Sequence, residues 1–402
     1  MLGRNLAGKP SKVLLVEPDY YTRYPPLGLL KLSTYFKREG AETKLVRGKV
    51  YPPWEPDEIY VTSLFSWAWK PVWDSVHYYR TQFPTVPVHL GGVYASLLPE
   101  HARLSGATDV HVGLHHEAER YIPDYDLVPE WDTSLLFASR GCVRKCGFCS
   151  VPKLEGPPSN LIYDIRNLIL PRHKRVAFFD NNILTVENWK GTFTAARDMG
   201  KLVDFNQGLD ARVVTDEIAE TISTMRFELI RMAYDFIGIR PYVERAINKL
   251  ASYGIDKRKL IFYCLYNYVD SPEDFFHKIK DLLNWGVVAY PMRFEPLCTL
   301  QKGKYVAPKW TARELEMVAK ARRVIGYGGA FPAYEGLVKK FNAASNFSEA
   351  FSLWPKEAEG KAPALPAEGL RRMDEEHEIK VRKVYWTSAK RKRDWRTALP
   401  RK

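Results

Sequence analysis

Apolar residues arrive along this chain in short runs, each followed by a polar turn and then by a stretch with helical spacing. KVLLVEP (12–18) is the first such run, and its unbroken apolar core predicts a strand buried on both faces. In PPLGLLKLSTYFKREG the prolines suit a helix's first turn, Leu29, Leu32, Tyr35 and Phe36 repeat at helical spacing, and Gly40 supplies the stop. ETKLV, EIYVTSLF, VPVHLGG and TDVHVG (108–113) read as further strands, with WKPVWDSVHYYRTQF as a crossover helix. This alternation predicts an α/β domain of the doubly wound, Rossmann-like kind over residues 10–118.

The polar, proline-containing EAERYIPDYDLVPEW marks a linker, set at 119–133. A second series then runs through SLLFAS (134–139), RVAFFD (175–180), LVDFNQ (202–207), ELIRMAYDF (228–236), KLIFYCLYN (259–267) and VVAYPMRF (287–294). Stretches with helical spacing separate these runs, among them TDEIAETISTM and SPEDFFHKIKDLLNWG. Six β/α units predict a partial (β/α)6 barrel over 134–300, a partial TIM barrel with its chemistry at the strands' C-terminal ends. Residues 301–354 read as a helical extension. Residues 355–402 read as a spacer rich in Pro, Ala and Glu, followed by a basic, partly disordered tail.

Composition sharpens this picture in two places. With 402 residues and a 46% hydrophobic share, two or three packed domains are expected. No apolar run is long enough to cross a bilayer, and MLGRNLAGKPSK lacks a signal peptide's apolar core, so a cytoplasmic protein without a membrane partner is expected. The net charge of +13 is uneven: residues 380–402 carry ten Lys or Arg against Asp394 alone, leaving +4 for the first 379 residues. KRKRDWR could hold nucleic-acid phosphates with Trp395 stacking, or could be a solvated terminus.

Three of the five cysteines fall within eight positions of GCVRKCGFCSVP: Cys142, Cys146 and Cys149. Three soft, anionic thiolates on one tight loop suit one corner of a four-iron cubane, each binding a different iron and leaving the fourth iron open. The competing site is a structural zinc, which is usually closed by four ligands; the nearest downstream candidate, His173, has no finger-like spacing.

CVRKCGFC resembles the signature of the radical S-adenosylmethionine (SAM) superfamily, including Phe148 directly before the last cysteine. That resemblance implies a [4Fe–4S] cluster whose open iron chelates SAM and an electron donor such as flavodoxin or ferredoxin. It further implies reductive cleavage to a 5′-deoxyadenosyl radical, which abstracts hydrogen from a substrate. Carried onto this chain, it places Asp180, Asn181 and Asn182 at the turn that binds the methionine amino group, where the family more usually has two glycines and a glutamate. Arg212 takes the SAM carboxylate, with Asp210 nearby, and Asp235 the ribose hydroxyls. Each set has a plainer alternative: a turn capping the sheet, or a surface salt bridge.

Arg293 and Glu295, two apart in YPMRFEPL, share a strand face and either grip a polar substrate or pair with each other. Cys264 and Cys298 are expected as buried small residues, though a cavity-facing Cys298 could relay a hydrogen atom or hold substrate covalently.

An α/β domain ahead of such a barrel resembles the cobalamin-binding arrangement of one radical SAM class, and more broadly the cobalamin-domain Fe–S oxidoreductases. SLFS and HLGGVYAS fall where that domain meets the corrin's tail, pointing to Ser63, Leu64, Gly91 and Gly92. EPDYYTRYPPLG lacks the Asp-x-His-x-x-Gly segment that supplies a lower axial ligand, and His115 and His116 lie near the linker instead. The domain is therefore either a corrin site or a retained fold used as a lid or docking surface. With cobalamin, methyl transfer is implied; without it, rearrangement, oxidation or sulfur insertion. The reading from another class is a zinc-stabilised nucleic-acid-binding protein using the basic tail.

Overall fold

A computed structural model describes residues 10–353 other than Tyr163 and Tyr327. The expected spacer and basic tail at 355–402 lie outside the described residues. The first series forms β1 (Lys12–Glu17), α1 (Leu27–Arg38), β2 (Glu42–Arg47), β3 (Glu58–Ser63), α2 (Trp69–Gln82), β4 (Val88–Gly92), α3 (Val93–Leu97), α4 (Pro99–Arg103) and β5 (Asp109–Val110). All pairings are parallel, in the order β2-β1-β3-β4-β5, so the chain reverses direction across the sheet between β1 and β3. Alternate residues of β1 serve opposite faces. Val13 and Leu15 pack with Leu29 and Phe36 of α1, while Leu14 and Val16 join Val72, Val76 and Tyr79 of α2. That two-sided burial is why KVLLVEP reads as an unbroken apolar run.

The second series opens with β6 (Thr133–Leu136), a two-residue arm β7 (Ser139–Arg140), α5 (Val151–Leu154) and a second arm β8 (Ser159–Asn160). It continues with β9 (Arg175–Phe178), α6 (Trp189–Asp198), β10 (Leu202–Phe205), α7 (Asp216–Ser223), β11 (Arg226–Phe227), β12 (Ile230–Ala233), α8 (Arg240–Ser252), β13 (Leu260–Tyr266), α9 (Pro272–Trp285) and β14 (Val288–Arg293). A strand lies in each of the six apolar runs. They assemble as two parallel sheets, β11-β10-β9-β6 and β12-β13-β14, with one parallel bridge, Leu209 to Met232, between them. The seam has a local cause. Arg226 and Phe227 pair with β10, and after two residues the chain turns to pair with β13 instead. Three further helices, α10 (Ala312–Ile325), α11 (Glu335–Ala343) and α12 (Phe347–Phe351), complete the described chain.

The apolar core lies outside these strands, between sheet and helices. Val203 and Phe205 of β10, Ile230 and Met232 of β12, and Phe262 and Cys264 of β13 share it with Phe193, Ile222, Ile247 and Phe275 from the helices. The alternate positions, including Asp204, Arg231, Tyr263 and Tyr290, therefore face inward.

Tyr24, in the β1–α1 loop, joins the two halves. Its ring packs edge-on against Phe179 and Trp131, and its hydroxyl accepts a hydrogen bond from Asn206 Nδ2 at 2.6 Å. Gly92 holds another tight spot: φ is +98°, and an added Cβ would sit 2.2 Å from the Ser63 carbonyl oxygen. Gly92→Ala should therefore lower stability by about 2 kcal/mol, read as a reduced midpoint of chemical unfolding against wild type.

Candidate functional site

The cysteine segment is a loop hung from the antiparallel arms β7 and β8, paired Ser139 to Asn160 and Arg140 to Ser159. Gly141 must turn at their base: its φ is +76°, and a Cβ there would lie 2.1 Å from the Pro157 carbonyl oxygen. Asp180, at the end of β9, pins the entry. Its carboxylate accepts from the Ser139 amide (2.6 Å), the Ser139 hydroxyl (2.6 Å) and the Ala138 amide (3.1 Å). Burial pushes the Asp180 carboxyl up to about 6 despite these donors.

Glu155 pins the exit. It accepts from the Gly141 amide at 2.9 Å, from Asn181 Nδ2 at 2.7 Å and from Arg140 at 2.8 Å. Arg140 also pairs with Glu119 (2.7 Å), which in turn pairs with the buried Lys31 of α1 at 3.2 Å. The far side of the loop rests on residues just past β13 and β14: Phe148 packs edge-on against Tyr268, and the Tyr268 ring packs against Phe294.

All three cysteines are half-buried. Burial first, then the neighbouring thiolates, raise the Cys149 thiol above its ordinary value; burial raises Cys146 as well, against the pull of Arg212. Thiolates so placed need a cation to bind. Among the described residues no three His, Cys, Asp or Glu side chains converge on one metal position. A single zinc ion requires such convergence, whereas a cubane takes its thiolates on separate irons. His173 is engaged elsewhere, bonded to Ser134 at 3.0 Å and packed on Tyr125.

A polar ring surrounds the sulfurs. Asn182 is buried, and its Nδ2 donates to Cys142 Sγ (3.5 Å) and to Asp210 Oδ2 (3.2 Å). Its Oδ1 is buried with no partner, an open acceptor beside the thiolates. Asp210 takes two bonds from the Arg212 guanidinium (2.7 and 3.1 Å) and one from Arg144 Nε (3.0 Å). Burial alone would raise the Asp210 carboxyl, but those arginines hold it below its usual range.

Asp235 lies within electrostatic reach of Arg212 and Cys146, and its carboxylate accepts no hydrogen bond among the described residues. Burial pushes it up to about 6, against Lys278 and Arg212. Lys278 of α9, fully buried, reaches the strand ends, donating to the carbonyls of Asp235 (2.7 Å) and Leu265 (2.8 Å) and pairing with Asp270. An unpartnered buried acceptor, an arginine and a free carboxylate beside three thiols fit a cluster and an amino-acid-bearing nucleotide, by the chemistry of the donor set.

The structure therefore brings Asn182, Arg212 and Asp235 together with the cysteines. It gives other duties to several expected site residues. Asp180 is taken up by the Ser139 and Ala138 donors, and the Asn181 amide donates to Glu155, so both hold the loop. Arg293 and Glu295 pair with each other at 3.4 Å and clamp the following loop, Arg293 on the Gly303 and Tyr305 carbonyls and Glu295 on the Gly303 amide. Cys298 is exposed on that loop rather than enclosed. Cys264 faces the outer core, where burial pushes its thiol up to about 12.

In the N-terminal sheet the Ser63 hydroxyl donates to the Gly91 carbonyl and accepts from the Ala95 amide, fastening β3 to β4 and α3. Leu64 packs against that core, and at Gly91 an added Cβ would make only ordinary contact with His111.

Sequence reasoning overlooked Arg144, Glu155 and Lys278. Only Lys278 left a signal: it falls on the core stripe of Phe275, Ile279 and Leu282, where a cation needs a buried partner.

No family model and no curated protein matches the chain. Among solved structures, it is similar to the radical SAM methyltransferase TsrM from Kitasatospora setae, solved with cobalamin and a [4Fe–4S] cluster bound. The match has 12% identity, covers 79% of each chain and has a TM-score of 0.55. Coproporphyrinogen III oxidase HemN from Escherichia coli, a radical SAM enzyme, matches at 10% identity over 52% of this chain and 57% of its own, with a TM-score of 0.35. At such identities the TsrM likeness is one of fold. The resemblance to the radical SAM superfamily carried by CVRKCGFC is thus matched in the backbone.

Asp180→Asn turns an N–H toward amides that need an acceptor. It should cost about 2 kcal/mol and lower the iron retained per chain after anaerobic reconstitution, measured by iron analysis alongside a thermal melt.

Proposed function

We propose that this chain is a radical SAM enzyme that cleaves SAM reductively and takes hydrogen from a substrate held inside the barrel. When bound, the cluster and SAM supply the electron and the carbon radical; the protein binds, orients and shields. Cys142, Cys146 and Cys149 are the thiolate donors. In this reading the Asn182 Oδ1 accepts from the methionine ammonium, Arg212 meets the methionine carboxylate, and Asp235 accepts from the ribose hydroxyls. Lys278 fixes the backbone that presents Asp235, and Arg144 with Arg212 keeps Asp210 ionised. The observation that carries this reading is the open Asn182 acceptor, unpartnered among the described residues, beside three half-buried thiols on one loop.

Methyl transfer with cobalamin comes from the Kitasatospora enzyme and is the second reading, supported by that fold likeness. Ser63 and Gly92 are accounted for by the sheet itself, and the β1–α1 loop docks on the barrel through Tyr24. The N-terminal domain is therefore read first as a docking domain, and no step is assigned to a corrin.

Anaerobically reconstituted protein should carry about four irons per chain and form 5′-deoxyadenosine from SAM under reduction; one zinc and no deoxyadenosine would overturn the reading. Cys146→Ala should abolish deoxyadenosine formation in a soluble, folded protein. Asp235→Asn should raise the KM for SAM about tenfold with iron content unchanged, measured by initial rates against SAM concentration.

A further inference from the structure

Beneath the cysteine loop, the inward face of the sheets carries a second group of polar side chains, which the SAM site does not use. Ala233, Tyr263 and Tyr290 stand in one register row across β12, β13 and β14. Tyr263 and Tyr290 meet edge to face at 5.4 Å, with the small Ala233 next to Tyr263 in the row. Arg231, two residues below Ala233 on the same face, is buried and paired with Asp204 of β10. Tyr24 reaches in from the N-terminal domain and lies within electrostatic reach of Asp204, Arg231 and Tyr263. This row sits two residues, about 7 Å, below Asp235 along the strand.

The hydrogen-bond roles of these groups point one way. The Tyr24 oxygen accepts from Asn206, and the Tyr290 oxygen accepts from Arg322 Nη2 at 3.2 Å. The Tyr263 oxygen faces the Arg231 guanidinium. Each phenol thus has its acceptor side met by an amide or a cation, while its own proton has no acceptor among the described residues. Burial raises the pKa of Tyr24 and Tyr263, so both stay protonated donors. Arg231, paired with Asp204, and Arg322 set two guanidinium groups against this wall, with Asp235 about 7 Å above it. Phe179 and the half-exposed Met292 offer apolar surface nearby.

We propose that this inner wall is a ligand site for an oxyanion, a carboxylate or a phosphate, gripped by the Tyr24, Tyr263 and Tyr290 hydroxyls beside Arg231. Three inward O–H donors backed by cations suit an acceptor-only group and offer little to a cationic one. The proposal rests on the preceding reading only in calling that ligand the substrate, since binding there needs neither iron nor SAM. The Tyr24 contribution also makes the site a joint product of both halves of the chain.

Benzoate, phenyl phosphate and neutral benzamide test it, titrated into reconstituted full-length protein by saturation-transfer NMR. One of the two anions should bind saturably with a Kd of the order of 1 mM, and benzamide at least about tenfold more weakly. The tighter anion identifies the group. Tyr263→Phe and Tyr24→Phe keep the rings and should each weaken that anion about fivefold or more in protein shown to be folded by a thermal melt. No saturable anion binding, equal binding of benzamide, or unchanged binding in both variants would overturn the site. Deoxyadenosine formation is assayed in the same preparation: its absence with anion binding intact would sink the radical reading alone, and its presence without anion binding would sink this one alone.

Discussion

A loop that carries three cysteine side chains close together works against their ionisation, and the surrounding structure holds that loop in place. Cys149 is pushed toward the neutral thiol by burial and by the other two sulfurs, so the sulfurs themselves offer no attraction that would gather them. The restraint comes from buried carboxylates at its two ends. Asp180 binds the backbone where the chain enters, and Glu155 binds Gly141, Asn181 and Arg140 where it leaves. Arg140 lies flat on Phe137, 3.3 Å from the ring centre, and passes the connection through Glu119 to Lys31. Burial works against the charges of Lys31 and Glu119, and each is held by a partner of opposite sign. Removing any one would strand the next, which makes the network a fixed frame rather than a set of independent contacts.

Much of this was legible in the order of residues. Strands buried on both faces announce themselves as apolar runs, so β1 and the six later segments could be read with little ambiguity, and the cysteine spacing pointed to a cluster, with zinc as the competing site. What escaped were features made by residues distant in the chain. Glu155 looks like any surface acid until folding brings it beneath Gly141 and beside Asn181. Asp180 and Asn182 sit two apart in one polar turn, yet backbone geometry at Ala138 and Ser139 consumes the first and leaves the second open. Arg293 and Glu295 were read as sharing a strand face, and they do lie together, but the loop at 303–305 supplies the partners that turn them into a clamp. No local pattern encodes where that loop returns.

The inward face illustrates a further limit of hydrophobic patterning. ELIRMAYDF reads as a strand because Ile230, Met232 and Tyr234 belong to the outer core, and the same two-residue period places Arg231, Ala233 and Asp235 on the other side. A solvent-facing strand would show the same alternation. Only the closure of neighbouring strands and the arrival of Tyr24 turn that second face into an interior, where an arginine must find an aspartate and phenols are forced to choose partners.

Tyr24 also bears on why the N-terminal domain is there at all. A nucleotide-binding sheet ordinarily offers its ligand the loops at the C-terminal ends of its strands, with the crevice at the switch point as the natural seat. Here the first of those loops is committed: its tyrosine is wedged against Phe179 and Trp131 and bonded to Asn206. A loop anchored across the junction cannot swing to cradle a ligand without surrendering those contacts, and its sequence carries no histidine to offer a metal. The same commitment brings the domain's edge over the barrel, with Trp67 beneath the Lys302 ammonium on the far rim. A domain tied down at both sides of the mouth is positioned to shield the interior, which the proposed radical chemistry would require.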